Sequence, residues 1–169
     1  MKQSCTNKIF PGPEHNHQKC LGDAIEKART LFAARKQRLT PLREEIYRQV
    51  LTSHNSLGAY QIRDQLNKND RNIAPITIYR ILELLCEIGL IHRIESQNTY
   101  YACHQNHHGQ NSKITLICRA CGTIAELLDE TIDKAFGQLE KKVDFITENR
   151  ILEIEGLCPE CRQTEQPKC

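Results

Sequence analysis

Two Cys-x-x-Cys knuckles, Cys118-Arg-Ala-Cys121 and Cys158-Pro-Glu-Cys161, carry the plainest chemistry in this chain. Two intervening residues let both thiolates of a knuckle reach one tetrahedral ion, and two knuckles complete a four-cysteine zinc site. Four protein thiolates leave no open position for water or substrate, so such an ion staples and does not catalyse. An apolar β-like run adjoins each knuckle, Ile114-Thr-Leu-Ile117 before the first and Ile151-Leu-Glu-Ile154 before the second. The segment between the knuckles is longer than in a zinc ribbon. The ion is therefore expected to clip together the two ends of a whole subdomain. Chance cysteines or a disulfide are the plain alternatives. Doubled knuckles and a polar Met1–Cys20 stretch unlike an export signal favour zinc in a reducing cytoplasm.

A second set of ligand-type residues gathers around the middle of the chain: His92, Cys103, His104, His107, His108 and Glu126. Imidazole, thiolate and carboxylate together suit Zn2+. The set straddles two expected subdomains, so an ion held there would fix their relative orientation. That is the arrangement of a sensor. If a strand runs through Cys103 and His104, their side chains point to opposite faces, which disfavours His104 as a co-ligand.

These ligands need elements to position them. At 169 residues the chain is one large domain or two small ones. Its apolar runs are only a few residues long, so no membrane span is expected. Charge is unevenly placed: Leu21–Arg93 holds 12 basic and 8 acidic residues, whereas Ile94–Cys169 holds 8 and 12. The front half is the one suited to a polyanion.

The expected architecture is α+β, an N-terminal winged helix-turn-helix followed by a small α/β domain stapled by the four cysteines. The expected divisions are a flexible tail (1–20), a winged-helix DNA-binding domain (21–103), a hinge (104–113), a dimerisation and metal-binding domain (114–162) and a second tail (163–169). Apolar spacing of 3.6 residues predicts a helix over Leu21–Gln37. Thr40 as N-cap and Pro41 at the first turn open a second helix reaching about Ser53. A short helix over Gly58–Asn67 follows, then a helix over Pro75–Ile88 closed by Gly89. Its buried stripe is Ile78, Ile81, Leu82, Leu85 and Ile88, with Thr77, Tyr79, Arg80 and Glu83 outward. Strands at Leu90–Glu95 and Thr99–Cys103 complete the wing.

In this order of elements the last helix enters the major groove. Arg80 can contact phosphate or guanine, Thr77 phosphate, and Tyr79 the backbone or a thymine methyl, with Tyr60 a further candidate. Past the hinge, strands at Ile114–Ile117 and Thr123–Leu128 precede a helix over Asp129–Lys142, with Ile132, Phe136 and Leu139 on one face. A third strand covers Ile151–Leu157. This core is thin and its strand edges are open, which suggests a homodimer.

Enzyme signatures are missing from the sequence. A nucleobase deaminase pairs His-x-Glu with Pro-Cys-x-x-Cys, whereas here the proline lies inside the knuckle and no His-x-Glu occurs. His-Glu-x-x-His is also absent. Neither an enzymatic activity nor a small-molecule substrate is expected.

Several stretches together resemble the ferric uptake regulator (Fur) family of bacterial metal-responsive repressors, most closely its zinc uptake regulator (Zur) branch. They are Leu39-Thr40-Pro41, Gly58-Ala59-Tyr60, Thr77-Ile78-Tyr79-Arg80, Gly89 to Ser96, Tyr101-Ala102-Cys103-His104, and both knuckles with Gly156-Leu157 before the second. The resemblance covers about Leu21–Arg162. It implies a cytoplasmic homodimer that binds AT-rich palindromic operators when zinc-loaded and represses zinc-uptake genes. It implies two zinc ions per monomer. Cys118, Cys121, Cys158 and Cys161 match the structural ligands. His92, Cys103 and Glu126 match the regulatory ligands, with one more histidine. At the place where that branch has its fourth ligand this chain has Asn111, and the nearest substitutes are His107 and His108. His108, the closer, is the expected ligand. Tyr60 and Arg80 match DNA-contact positions. An iron- or peroxide-responsive regulator is the alternative within the family, and the Cys103 thiolate favours zinc over iron or manganese.

Overall fold

A computed structural model of the chain describes Phe10 and residues 17–52, 55–69, 72–103 and 113–165. Two compact units divide it, one within Glu14–His104 and one within Gln105–Cys169. Among the described residues no helix is long and apolar enough to cross a membrane.

The first unit begins with α1 (His17–Ala34), α2 (Pro41–Leu51), β1 (Leu57–Gly58), α3 (Ala59–Leu66) and α4 (Pro75–Ile88). The wing strands β2 (Ile91–Ile94) and β3 (Thr99–Ala102) follow. The expected order of helices and hairpin is present. Helix α1 starts at His17, inside the stretch expected as loose tail, and ends at Ala34, short of Gln37. Helix α2 starts as expected, with the Thr40 hydroxyl accepting from the Arg43 N–H and Pro41 in the first turn. Helix α4 has the expected bounds. Gly89 closes it at φ 81°, a left-handed conformation that a side chain would strain.

The core joins Ile25, Ala28 and Phe32 of α1 to Ile46, Tyr47 and Val50 of α2, Ile62 and Leu66 of α3, and the full expected stripe of α4. Tyr47 of α2 is buried in the same core. Strand β1 was not expected. It adds two residues to the wing in a sheet of order β1-β3-β2, pairing Leu57 with Tyr100 and Gly58 with Thr99. So short a strand has no periodicity to read; only its ladder defines it.

The second unit consists of β4 (Lys113–Cys118), β5 (Ile124–Leu128), α5 (Glu130–Val143), β6 (Leu152–Gly156) and α6 (Pro159–Glu165). Its sheet has the order β5-β4-β6, antiparallel on one side of β4 and parallel on the other, so α5 lies in the crossover to β6. Asp129 caps α5 by accepting from the Thr131 and Ile132 N–H groups. Arg150, just before β6, anchors α5: it donates to Asp133 at 3.2 Å, pairs with Glu140 and lies over the Phe136 ring at 5.2 Å. Helix α6 occupies part of the expected second tail.

The second unit has a thin core. No residue of α5 is buried. Leu139, Val143, Phe145, Ile146, Ile151 and Ile154 all stand exposed. A cleft of about 300 Å³ runs among Phe136, Leu139, Val143, Phe145, Ile151 and Leu152.

Candidate metal centre and nucleic-acid face

Strand β4 delivers Cys118 at its end, and the turn that follows delivers Cys121 before β5. Three bonds fix that turn: Cys118 N–H donates to the Thr123 carbonyl at 3.0 Å, Gly122 N–H to Cys118 at 2.8 Å, and Arg119 N–H to Gly156 at 2.9 Å. The last ties the first knuckle to the end of β6, where the chain enters the second. Cys158 lies between β6 and α6, and Cys161 on the first turn of α6. All four sulfurs lie within 4.8 Å of one another, with Cys121 and Cys158 at 3.8 Å. Thiolates about 2.3 Å from a tetrahedral ion stand about 3.8 Å apart, so the four fit zinc.

The local electrostatics fit as well. Burial opposes ionisation of Cys118, but N–H groups of Cys158, Cys121 and Ala120 outweigh it and bring the thiol down to about 6. The Cys158 N–H lies 3.3 Å from the Cys118 sulfur. Cys161 is pushed up to about 12, first by sulfur–sulfur bonding with Cys158 and Cys121. Backbone donors thus favour a thiolate at Cys118, and the closeness of the four sulfurs opposes ionising them all without a cation. The backbone donors that ionise Cys118 had no signal in the sequence beyond the knuckle spacing itself.

In the first unit, His92 of β2 pairs across the ladder with Tyr101 of β3, and their rings lie 5.6 Å apart. Cys103 follows two residues after Tyr101, so all three share a face. The Cys103 N–H extends the ladder to the Leu90 carbonyl at 3.0 Å. A His92 ring nitrogen and the Cys103 sulfur lie within 4.8 Å of each other. Tyr47 is held protonated well above its usual range, chiefly by burial and secondarily by Cys103. In the second unit, Glu126 of β5 is buried, with Lys113 Nζ 3.3 Å from its Oε1. Lys113 was not among the expected site residues. His104, His107 and His108 lie outside the described residues.

On the candidate nucleic-acid face, Arg80 of α4 is exposed and Tyr60 of α3 is 56% exposed. Thr77 and Tyr79 are half-buried. Tyr60 and Tyr79 meet edge to face, which links α3 to α4 at this surface. The sequence did not single out Ile76, 58% exposed at the same helix end, or Arg63, whose guanidinium covers the Tyr60 ring.

The family model of the ferric uptake regulators matches residues 34–155, a span that runs from the last residue of α1 to Glu155 in β6 and holds both candidate ligand clusters except Cys158 and Cys161. The chain belongs to the ferric uptake regulator family. Its relatives in the family include the zinc uptake regulation protein of Escherichia coli, 31% identical over 143 residues that cover 85% of this chain and 84% of that one. The peroxide-responsive repressor PerR of Staphylococcus epidermidis is 28% identical over 130 residues, covering 75% of this chain and 82% of that one. A zinc uptake regulator solved in complex with zinc and DNA superposes with a TM-score of 0.76 at 30% identity, covering 90% of this family member and 99% of that chain.

Proposed function

We propose that this chain is a zinc-responsive transcriptional repressor that binds operator DNA as a zinc-loaded homodimer and controls zinc-uptake genes. The observation that carries this reading is the likeness, over nearly the whole chain, to a regulator solved with zinc and DNA. The four-sulfur geometry supports it independently.

In this reading each monomer takes two zinc ions. Cys118, Cys121, Cys158 and Cys161 hold the structural ion. His92, Cys103, Glu126 and His108 hold the regulatory one. The exposed apolar face of α5 and the open outer edge of β6 receive a second copy of the chain. Tyr60, Thr77, Tyr79 and Arg80 meet an AT-rich palindrome, and the protein works in the cytoplasm as a regulator, not an enzyme. Ligands drawn from both units narrow the arrangements of the DNA-binding arms to one that matches successive major grooves. Moving such an equilibrium from mostly silent to mostly bound needs about 5 kcal/mol of preference. A bound zinc ion supplies strong bonds to thiolate and imidazole for that purpose.

An iron- or peroxide-responsive regulator is the second reading, favoured by the PerR relative. Cys103 counts against it, since a thiolate selects zinc over harder ions. Titrating zinc into the protein with a duplex selected from a random library by the zinc-loaded form tests the proposal. Equal affinity with and without zinc sinks it, and a response to Fe2+ or Mn2+ alone favours the second reading.

A further inference from the structure

Beside Tyr60 and Tyr79 of the first unit, which serve the reading above, lie two side chains that it leaves unused, Arg63 and Asp64. Tyr60 stands at the second position of α3 with 56% of its surface exposed. A ring so exposed would be free to change rotamer, yet two contacts restrain it. The Arg63 guanidinium carbon lies 5.1 Å from its ring centroid, a cation–π distance. Tyr79 meets it edge-on at 6.3 Å with 83° between the planes. Arg63 follows Tyr60 by one helical turn, so the two side chains share a face of α3.

The guanidinium is itself held. Asp64 Oδ1 accepts from Nε at 2.9 Å and from Nη2 at 2.6 Å. The Arg63 side chain is 29% exposed, against 64% for Asp64. An arginine whose charge is matched by a carboxylate and whose plane lies over a ring is poorly placed to give that charge to a phosphate. It is well placed to hold the ring.

We propose that Arg63, clamped by Asp64, is a positioning residue that holds Tyr60 in its DNA-facing orientation before the duplex arrives. This rests on the reading of Tyr60 as a DNA contact. A ring already fixed loses less side-chain entropy on docking, and that is how pre-organisation raises affinity. An exposed cation–π contact is worth about a two- to fivefold effect.

The test uses the zinc-loaded full-length protein and a fluorescein-labelled duplex selected from a random library. Arg63→Ala should weaken binding about two- to fivefold and leave the slope of log K against log salt unchanged. In a Tyr60→Ala background the same change should have no further effect. Tyrosine-ring NMR signals of the DNA-free protein should shift for Tyr60 in Arg63→Ala. Arg63→Gln, which keeps the stem and removes the cation, should repeat the pattern and guards against a folding defect. A salt slope shallower by about one would assign Arg63 to a phosphate and overturn the proposal. So would an unchanged loss in the Tyr60→Ala background, or an unmoved Tyr60 ring signal. Failure of the wild type to bind any selected duplex, or of Tyr60→Ala and Arg80→Ala to weaken binding, would instead remove the parent reading.

Discussion

Cys103 lies just beyond β3, on the same face as His92, and a sulfur at that point selects a softer ion than a carboxylate would. A Cys103→Ser variant keeps the volume and loses the thiolate. It is expected to stay folded and dimeric, to retain the four-sulfur ion, and to carry one zinc fewer per monomer. Its operator affinity should no longer respond to zinc. Metal content and fluorescence anisotropy on the same preparation check this, and a full zinc complement in the variant would remove Cys103 from the ligand set. The fourth ligand is settled the same way. His108→Ala should lose the exchangeable zinc, and His107→Ala should keep it. Residue types gathered His92, Cys103 and Glu126 together with His104, His107 and His108 around one expected hinge, and the family resemblance picked the first three out of that set. Lys113, 3.3 Å from Glu126, did not stand out, since a lysine at the start of a strand reads as a solvated charge.

At the scale of elements, the four-sulfur cluster joins the β4–β5 turn to the end of β6 in a unit whose α5 has no fully buried residue. Apolar burial in this unit rests on Ile114, Ile117, Ile124 and Ala125, a small core to which an ion on the four sulfurs would add much. Structural zinc binds with about 10–16 kcal/mol at neutral pH, comparable to the whole stability of a typical domain. Cys118→Ser should therefore unfold the second unit and abolish the dimer, while α1–α4 and the wing stay folded on their own core. Circular dichroism and hydrogen exchange by segment would show this, and retained protection in β4 would contradict it. The exposed apolar residues lead to a second expectation. Ile154, 53% exposed on the outer strand β6, should lie against the partner in the proposed dimer. Ile154→Asp buries a charge there and should give monomers in sedimentation with the structural zinc retained. An unchanged dimer would move the interface elsewhere. The helices of the first unit were legible because their apolar periodicity matches a core within the same chain. The α5 stripe of Ile132, Phe136 and Leu139 was equally periodic, yet periodicity says only that a face is apolar and not which chain covers it.

At the scale of the whole molecule, zinc sensing is a coupling free energy between two binding events, and such couplings are reciprocal. If regulatory zinc tightens operator binding by some factor, the operator must tighten regulatory zinc by the same factor. In the proposed reading the structural ion lies outside this cycle, because the second unit would need it whether or not DNA is bound. Competition against a graded series of chelators separates the two. Without DNA, one zinc per monomer should pass to a mild chelator and one should stay. With saturating selected duplex, the exchangeable zinc should resist by the factor measured in the DNA titration, and the tightly held one should not change. A shift of both ions would mean that the four-sulfur site also senses. If zinc acts by assembling the dimer and not by orienting its arms, the reciprocal shift should appear only at protein concentrations where the dimer is incomplete and vanish where it is fully formed. That mechanism has its own signature, since operator affinity would then depend on protein concentration in the range where the dimer forms.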